Sequence, residues 1–177
     1  MELFEAIRRR HSYRGPMQEH PVPRADLEHI VQAGIQAPSG YNAQTTTFVI
    51  VDDPALLAQI AAVDLQNAML RQARAIIAAV APKGPEPGSS RLFFGIEDCA
   101  AAVENMLLAV TALGYASVWL DGWLRLRGHD EAVGRLLGVP EDRVVRVLLP
   151  LGAPVNQEAQ HPRKPFDERA WFNRYGG

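Results

Sequence analysis

Apolar and polar positions change their period several times along the chain, and each change marks an element. In residues 2–9, Leu3, Phe4 and Ile7 share one helical face. After Pro23, placed to start a helix, Leu27, Ile30, Val31, Gly34 and Ile35 recur at helical spacing until Pro38 stops the run. The loop SGYNAQ (39–44) leads into TTTFVIVDD (45–53), a β-branched run that predicts a strand. Pro54 opens a further helix carrying Leu56, Leu57, Ile60 and Val63. ARAIIAAVAP (73–82) is short and apolar, which suits a helix end or a buried strand. Pro82 and the loop PKGPEPGSS (82–90) favour the strand. IEDCAAAVENMLLAVTALG (96–114) is apolar around most of its circumference and predicts a buried helix with Gly114 at its C′ position. ASVWLDG (116–122) reads as a strand ending in a tight turn. DEAVGRLLGVP (130–140) reads as a short helix, and RVVRVLLPLG (143–152) as a central strand. From Ala153 the tail has few apolar anchors before FDERAWFNRYGG, so it must pack on something, a partner subunit among the candidates.

Helices and strands are mixed without strict βαβ alternation, which predicts an α+β fold. The length of 177 residues fits one domain spanning 1–177, and 47% apolar residues supply a sizeable core. A net charge of −2 argues against non-specific nucleic-acid binding, which needs broad phosphate neutralisation. The single Cys99 excludes an internal disulfide framework. No apolar run is long enough for a membrane span and no apolar leader opens the chain, so no membrane and a cytoplasmic location are expected. No glycine fingerprint for a dinucleotide and no P-loop follows a strand. No two of the five histidines stand at i,i+4, so no metal site is expected.

Against that neutral background, residues 8–14 read RRRHSYR. Arg8 and Arg9 fall in the last turn of the first helix, where cations offset the macrodipole. Arg10, Ser12 and Arg14 alternate in an extended segment and so share one face. Two guanidiniums and a hydroxyl on one face suit a phosphate, though surface arginines paired with acids would produce the same string.

RRRHSYR followed by APSGYNAQ resembles the opening of the nitroreductase family of FMN-dependent oxidoreductases, with its R-x-S-x-R/K segment and APS-x-x-N-x-Q loop. GYASVWLDG resembles the family's glycine-terminated helix and flavin-edge strand, and HPRKPFDE its basic pair near the C-terminus. The four matches occur in order and span most of the chain. The resemblance implies a central mixed sheet flanked by helices, with the C-terminal tail extending onto the partner of a homodimer and FMN at the subunit interface.

By the same resemblance, Arg10 and Ser12 hold the FMN phosphate with Arg163 and Lys164. Arg14 lies nearer the flavin pyrimidine edge, where a fixed cation stabilises the reduced anion. His11 contacts flavin through its backbone or is an ordinary exposed residue. Pro38, Ser39, Asn42 and Gln44 belong to the loop that meets FMN across the interface. Thr45-Thr46 replaces the family's usual Pro-Trp, and Tyr41 could fill part of that space. Trp119 and Leu120 are core residues or flavin-face residues, with Asp121 and Gly122 near flavin N5. Asn67 and Arg71 share a helix face and are candidates for the pyrimidine edge. Phe93 and Phe94 are core residues or part of a mobile pocket segment.

The implied reaction is ping-pong hydride transfer from NADH or NADPH, via flavin N5, to a small-molecule acceptor such as a nitroaromatic or quinone. The cofactor does the chemistry, so no catalytic side chain is named. The clipped 82–90 segment predicts a small lid and an open pocket. Two alternatives stand beside this: a relative with another task, dehalogenation or flavin cleavage, and a non-enzymatic anion-binding module.

Overall fold

A computed structural model describes residues 1–85 and 92–176. Most of the PKGPEPGSS loop, and with it the expected small lid, lies outside the described residues.

Helix α1 (Leu3–Arg9) is brief and buries only Ala6. Its apolar face remains exposed, with Leu3 at 59%, Phe4 at 68% and Ile7 at 46%. Helix α2 (Arg24–Ile35) starts behind Pro23, whose φ of −57° prepares the first turn, and buries Leu27, Ile30, Val31 and Gly34. Strand β1 (Thr47–Val51) follows the 38–44 loop. Asp53 caps α3 (Pro54–Ala62) by accepting from Ala55 N and Leu56 N, with proline at the helix start. A separate short helix, α4 (Ala68–Gln72), is capped by Asn67.

The ambiguous apolar run is a strand, β2 (Ala75–Pro82), because both of its faces are covered. Ala75, Ile77, Ala79 and Ala81 meet one core with α2 and α5 (Gly95–Ala112). Ile76, Ala78 and Val80 meet the other, under α3 and α6 (His129–Leu136). A strand buried on both sides loses the alternation that identifies a half-buried one. Strand β4 (Arg143–Gly152) is central for the same reason.

With β3 formed by Ala116–Ser117, the sheet order is β1-β2-β4-β3, and all three ladders are antiparallel. The α+β class holds, while the sheet expected to be mixed is antiparallel throughout the described residues. Strand β3 is only Ala116–Ser117, shorter than the 116–122 expectation. The chain then continues to a single bridge between Leu120 and Leu148. The β2–β4 register slips between Ala79 and Val80, opposite Val145–Val147, so Arg146 is the extra residue of a bulge.

Candidate functional site

The arginine segment lies between the sheet edge and the tail. Tyr13 N donates to Ser117 O at 2.9 Å, which attaches the segment to β3. On its other side Met17 bridges Pro154, Gln18 N donates to Ala153 O at 2.8 Å, and Val155 N donates to Pro16 O at 2.9 Å. The tail therefore runs antiparallel beside residues 10–18. Tyr13 is 1% exposed, with its hydroxyl on Pro16 O at 2.7 Å. Tyr13 turns inward, while Arg10, His11 and Ser12 are half-buried and Arg14 is exposed.

Arg10 is the junction. Its N–H closes α1 on Ala6 O at 2.8 Å. Its side chain, 17% exposed, stands 3.5 Å from Glu104 on α5. Its carbonyl accepts from Gln160 Nε2 of the tail. Gln160 Oε1 in turn accepts from Arg163 Nη2 at 2.8 Å. The Arg10 backbone and the Arg163 guanidinium, 153 positions apart by number, are thus joined through one amide. Arg9 pairs instead with Glu5 one helical turn back, at 3.2 Å, in keeping with a helix-end role. Lys164 pairs with Glu168 at 3.4 Å.

His11 Nδ1 lies 2.9 Å from Arg9 O, and a carbonyl can only accept, so Nδ1 carries the proton. His11 Nε2 is buried with no partner. Thr46 Oγ1, beside the 38–44 loop, is the other such side-chain atom among the described residues. Buried polar atoms are nearly always satisfied, so an orphan next to each of two expected cofactor-binding segments points to a missing ligand or chain. A cleft of about 740 Å³ opens along Arg8–His11, with the α5 end and residues 156–160 as its other walls.

The 38–44 loop is held in an unusual shape. Tyr41, Asn42 and Gln44 have φ of 54°, 55° and 51°, the left-handed region that side chains rarely adopt. Four contacts hold it there. Asn42 N donates to Ser39 O (2.9 Å), Gln44 N to Ser39 Oγ (3.0 Å), Gly40 N to Asp98 Oδ1 (2.8 Å), and Arg143 Nη1 to Thr45 O (2.8 Å). At Gly40 an added Cβ would lie 2.2 Å from the Phe94 ring, so this close approach requires glycine. Phe94 also tilts against Tyr41, with ring centroids 5.8 Å apart. Pro38, Ser39 and Gln44 line a small cavity of about 120 Å³ with Phe48 and Asp98. Within one chain this loop does not line the cleft of Arg10.

The segment 119–122 is fixed by two backbone bonds between Leu120 and Leu148, at 3.1 and 3.0 Å. Trp119 packs on the α5 side of the sheet and Leu120 on the other. Asp121 is engaged by Arg125 through two bonds, 2.8 and 2.6 Å, and that contact raises the Arg125 pKa. A Cβ on Gly122 would meet nothing within 4 Å, so the backbone there faces open space. Just beyond, Trp123 Nε1 donates to Asp64 Oδ2 (2.7 Å), and its ring stacks on His129 at 4.2 Å. His129 Nδ1 is 2.9 Å from Trp123 O. The Trp123 bond holds the Asp64 carboxyl below the usual carboxylate range.

Asn67 and Arg71 do not come to the arginine segment. Asn67 Oδ1 accepts from Met69 N and Leu70 N as the α4 cap. Arg71 reaches Leu65 O and lines a separate cleft with Asp52 and Arg74. Helix α4 itself does touch the segment, through Met69 beside Tyr13 and through Gln72, which accepts from Met17 N at 3.3 Å. Sequence reasoning missed Glu104, Gln160, Asp98 and Arg143. Glu104 had a faint signal, as an acid well inside a largely apolar helix; Gln160 had none.

The family model described as the Nitroreductase family matches residues 7–66 and 57–153. The chain belongs to the nitroreductase family. One relative in Archaeoglobus fulgidus, provisionally named an NADH dehydrogenase/NAD(P)H nitroreductase, is 33% identical over 89% of this chain and 88% of its own. An iodotyrosine deiodinase of Thermotoga neapolitana is 26% identical over 91% of this chain and 93% of its own. Among solved structures, a provisionally named NADH dehydrogenase/NAD(P)H nitroreductase of Bacteroides thetaiotaomicron superposes with a TM-score of 0.83 at 29% identity, covering 98% of both chains. This nitroreductase-family chain therefore shares its architecture with that solved structure over 98% of its length.

Proposed function

We propose that the protein is an FMN-dependent oxidoreductase that uses NADH or NADPH as donor and works as a homodimer with FMN at the subunit interface. The observation that carries this reading is a cleft walled by Arg10, His11 and the docked tail, beside an orphaned His11 Nε2, with Arg163 tied to that tail through Gln160. Two guanidiniums suit a phosphate dianion, since each offers paired N–H donors to its oxygens. The donor set therefore fits the phosphate end of FMN. When bound, FMN supplies the two-electron transfer between NAD(P)H and an organic acceptor such as a nitroaromatic or quinone, in ping-pong order.

The chain's own residues bind and orient. Arg10, Arg163 and Ser12 hold the phosphate. Arg14, exposed in the single chain, lends positive charge to the pyrimidine edge, where reduction builds negative charge. The open backbone at Asp121 and Gly122 presents its polar groups to the flavin edge, held by the Leu120–Leu148 bridge on one side and the Trp123–Asp64 bond on the other. The partner's 38–44 loop, shaped in advance by Asp98 and Arg143, completes the site. This accounts for a loop that stands apart from the arginines within one chain.

The test is the visible spectrum of the purified protein, with the chromophore released by heat and identified. Yellow protein releasing FMN, then bleached by NADH or NADPH, is the expected result. Protein that stays colourless with added FMN would overturn the reading. Reductive dehalogenation is the second reading, favoured by the Thermotoga relative. Release of iodide from an iodinated tyrosine, with no turnover of nitroaromatics or quinones, would put it first.

A further inference from the structure

The tail residue Gln160 has no role in any reading of the sequence, yet it bonds both the Arg10 backbone and the Arg163 guanidinium. Its Nε2 donates to the Arg10 carbonyl and its Oε1 accepts from Arg163 Nη2 at 2.8 Å. We propose that Gln160 is the positioning residue that assembles the anion site from the two ends of the chain, holding Arg163 beside Arg10 without neutralising it. The proposal rests on the FMN reading and deepens it.

Three physical points support the assignment. First, a primary amide has a donor end and an acceptor end, so one side chain can satisfy a carbonyl and a guanidinium together. Glutamate could not donate to the carbonyl, and lysine could not accept from the guanidinium. Second, the tether is neutral. Arg10 already faces a carboxylate, Glu104, at 3.5 Å; a second acid at position 160 would cancel the other positive charge as well. Gln160 engages one of the five N–H donors of Arg163, and its remaining donors can serve an anion. Third, the tether has a fixed base. Residues 153–155 are bonded to residues 16–18, and Asn156 N lies 3.5 Å from the Tyr13 hydroxyl, so Gln160 follows a docked segment. Arginine carries high rotamer entropy, and holding one of its bonds in advance lowers the ordering cost of binding.

The experiment compares FMN with riboflavin, which lacks only the phosphate. Apoprotein is titrated with each flavin by fluorescence quenching, for the parent, Gln160→Ala, Arg163→Ala and the double variant. Gln160→Ala is expected to weaken FMN about tenfold, the scale of one charge-assisted contact, with riboflavin unchanged. Arg163→Ala is expected to cost about tenfold in the parent and under about threefold once Gln160 is gone, because coupled residues are not additive.

Equal losses of FMN and riboflavin would mean that Gln160 merely docks the tail, and would overturn the proposal. So would strictly additive losses, or an unchanged preference for FMN in Gln160→Ala. A parent that binds flavin but prefers FMN no more than riboflavin would instead sink the phosphate reading of Arg10 and Arg163. A parent that binds neither flavin would sink the FMN reading itself. Should Gln160→Ala lose its cooperative melt, Gln160→Met, of similar length and without the amide, is read by the same criteria.

Discussion

Tyr115 stands where α5 hands over to β3, and its phenol donates to Asp26 of α2 at 2.6 Å. Burial first, and then the bond to that carboxylate, push the phenol up to about 12. The protonated form is the one favoured in the fold. Its contribution is therefore complete below the ordinary tyrosine value near 10 and is lost as pH rises toward about 12. Absorbance at 295 nm should show a late-ionising tyrosine, and Tyr115→Phe should remove that late step. A single transition near pH 10 in the parent would contradict it. The residue scale also explains the opening charge cluster. RRRHSYR divides by partner: Arg9 takes Glu5, Arg10 takes Glu104 and Gln160, and Arg14 stays exposed. The first pairing was legible from i,i+4 spacing. The others join residues about 90 and 150 positions apart by number, which no local pattern encodes.

At the scale of elements, two glycines with equally open surroundings separate conformation from packing. Helix α5 ends in a paired closure, with Tyr115 N on Val110 O at 2.9 Å and Gly114 N on Thr111 O at 3.1 Å. Gly114 takes φ +85° to make it. A Cβ at either Gly114 or Gly122 would meet nothing within 4 Å, but only Gly114 is left-handed. Gly114→Ala should destabilise the fold by roughly 1–2 kcal/mol, while Gly122→Ala should stay within about 0.5 kcal/mol in denaturant melts. Equal losses would show that Gly122 has a packing role that its surroundings do not indicate. The helix closure was readable from a glycine after an apolar run. The brevity of β3 was not, because ASVWLDG has strand-forming residues throughout. Only the register against β4, paired at Ala116 and Ser117 and touched once more at Leu120, shows where the ladder stops.

Over the whole molecule, the exposed apolar groups have a common meaning. Leu3, Phe4 and Ile7 face outward on α1, and Phe172 and Tyr175 near the end of the tail are 80% and 91% exposed. We propose that these exposed side chains meet a second copy of the chain, which the proposed two-chain site requires. Light scattering at micromolar concentration should give twice the 19.5 kDa chain mass. Phe4→Asp should shift the mass toward one chain and weaken flavin binding in parallel, because the proposed site takes its 38–44 loop from the partner. A monomer that holds FMN as tightly as the parent would refute the two-chain site.

The sequence by itself determined the α+β class, most of the helix and strand positions, and the segments that carry polar chemistry. Those follow from periodicity, capping residues and turn chemistry, all of which act over a few residues. Tertiary structure decided which of those segments meet. It made 73–82 a strand by covering both of its faces, kept Asn67 as a helix cap and sent Arg71 to another cleft. It also separated the 38–44 loop from Arg10 within one chain, and joined Arg10 to Arg163 through a glutamine with no local signature. Long-range pairing depends on where the folded chain brings its ends, and a local pattern carries no record of that.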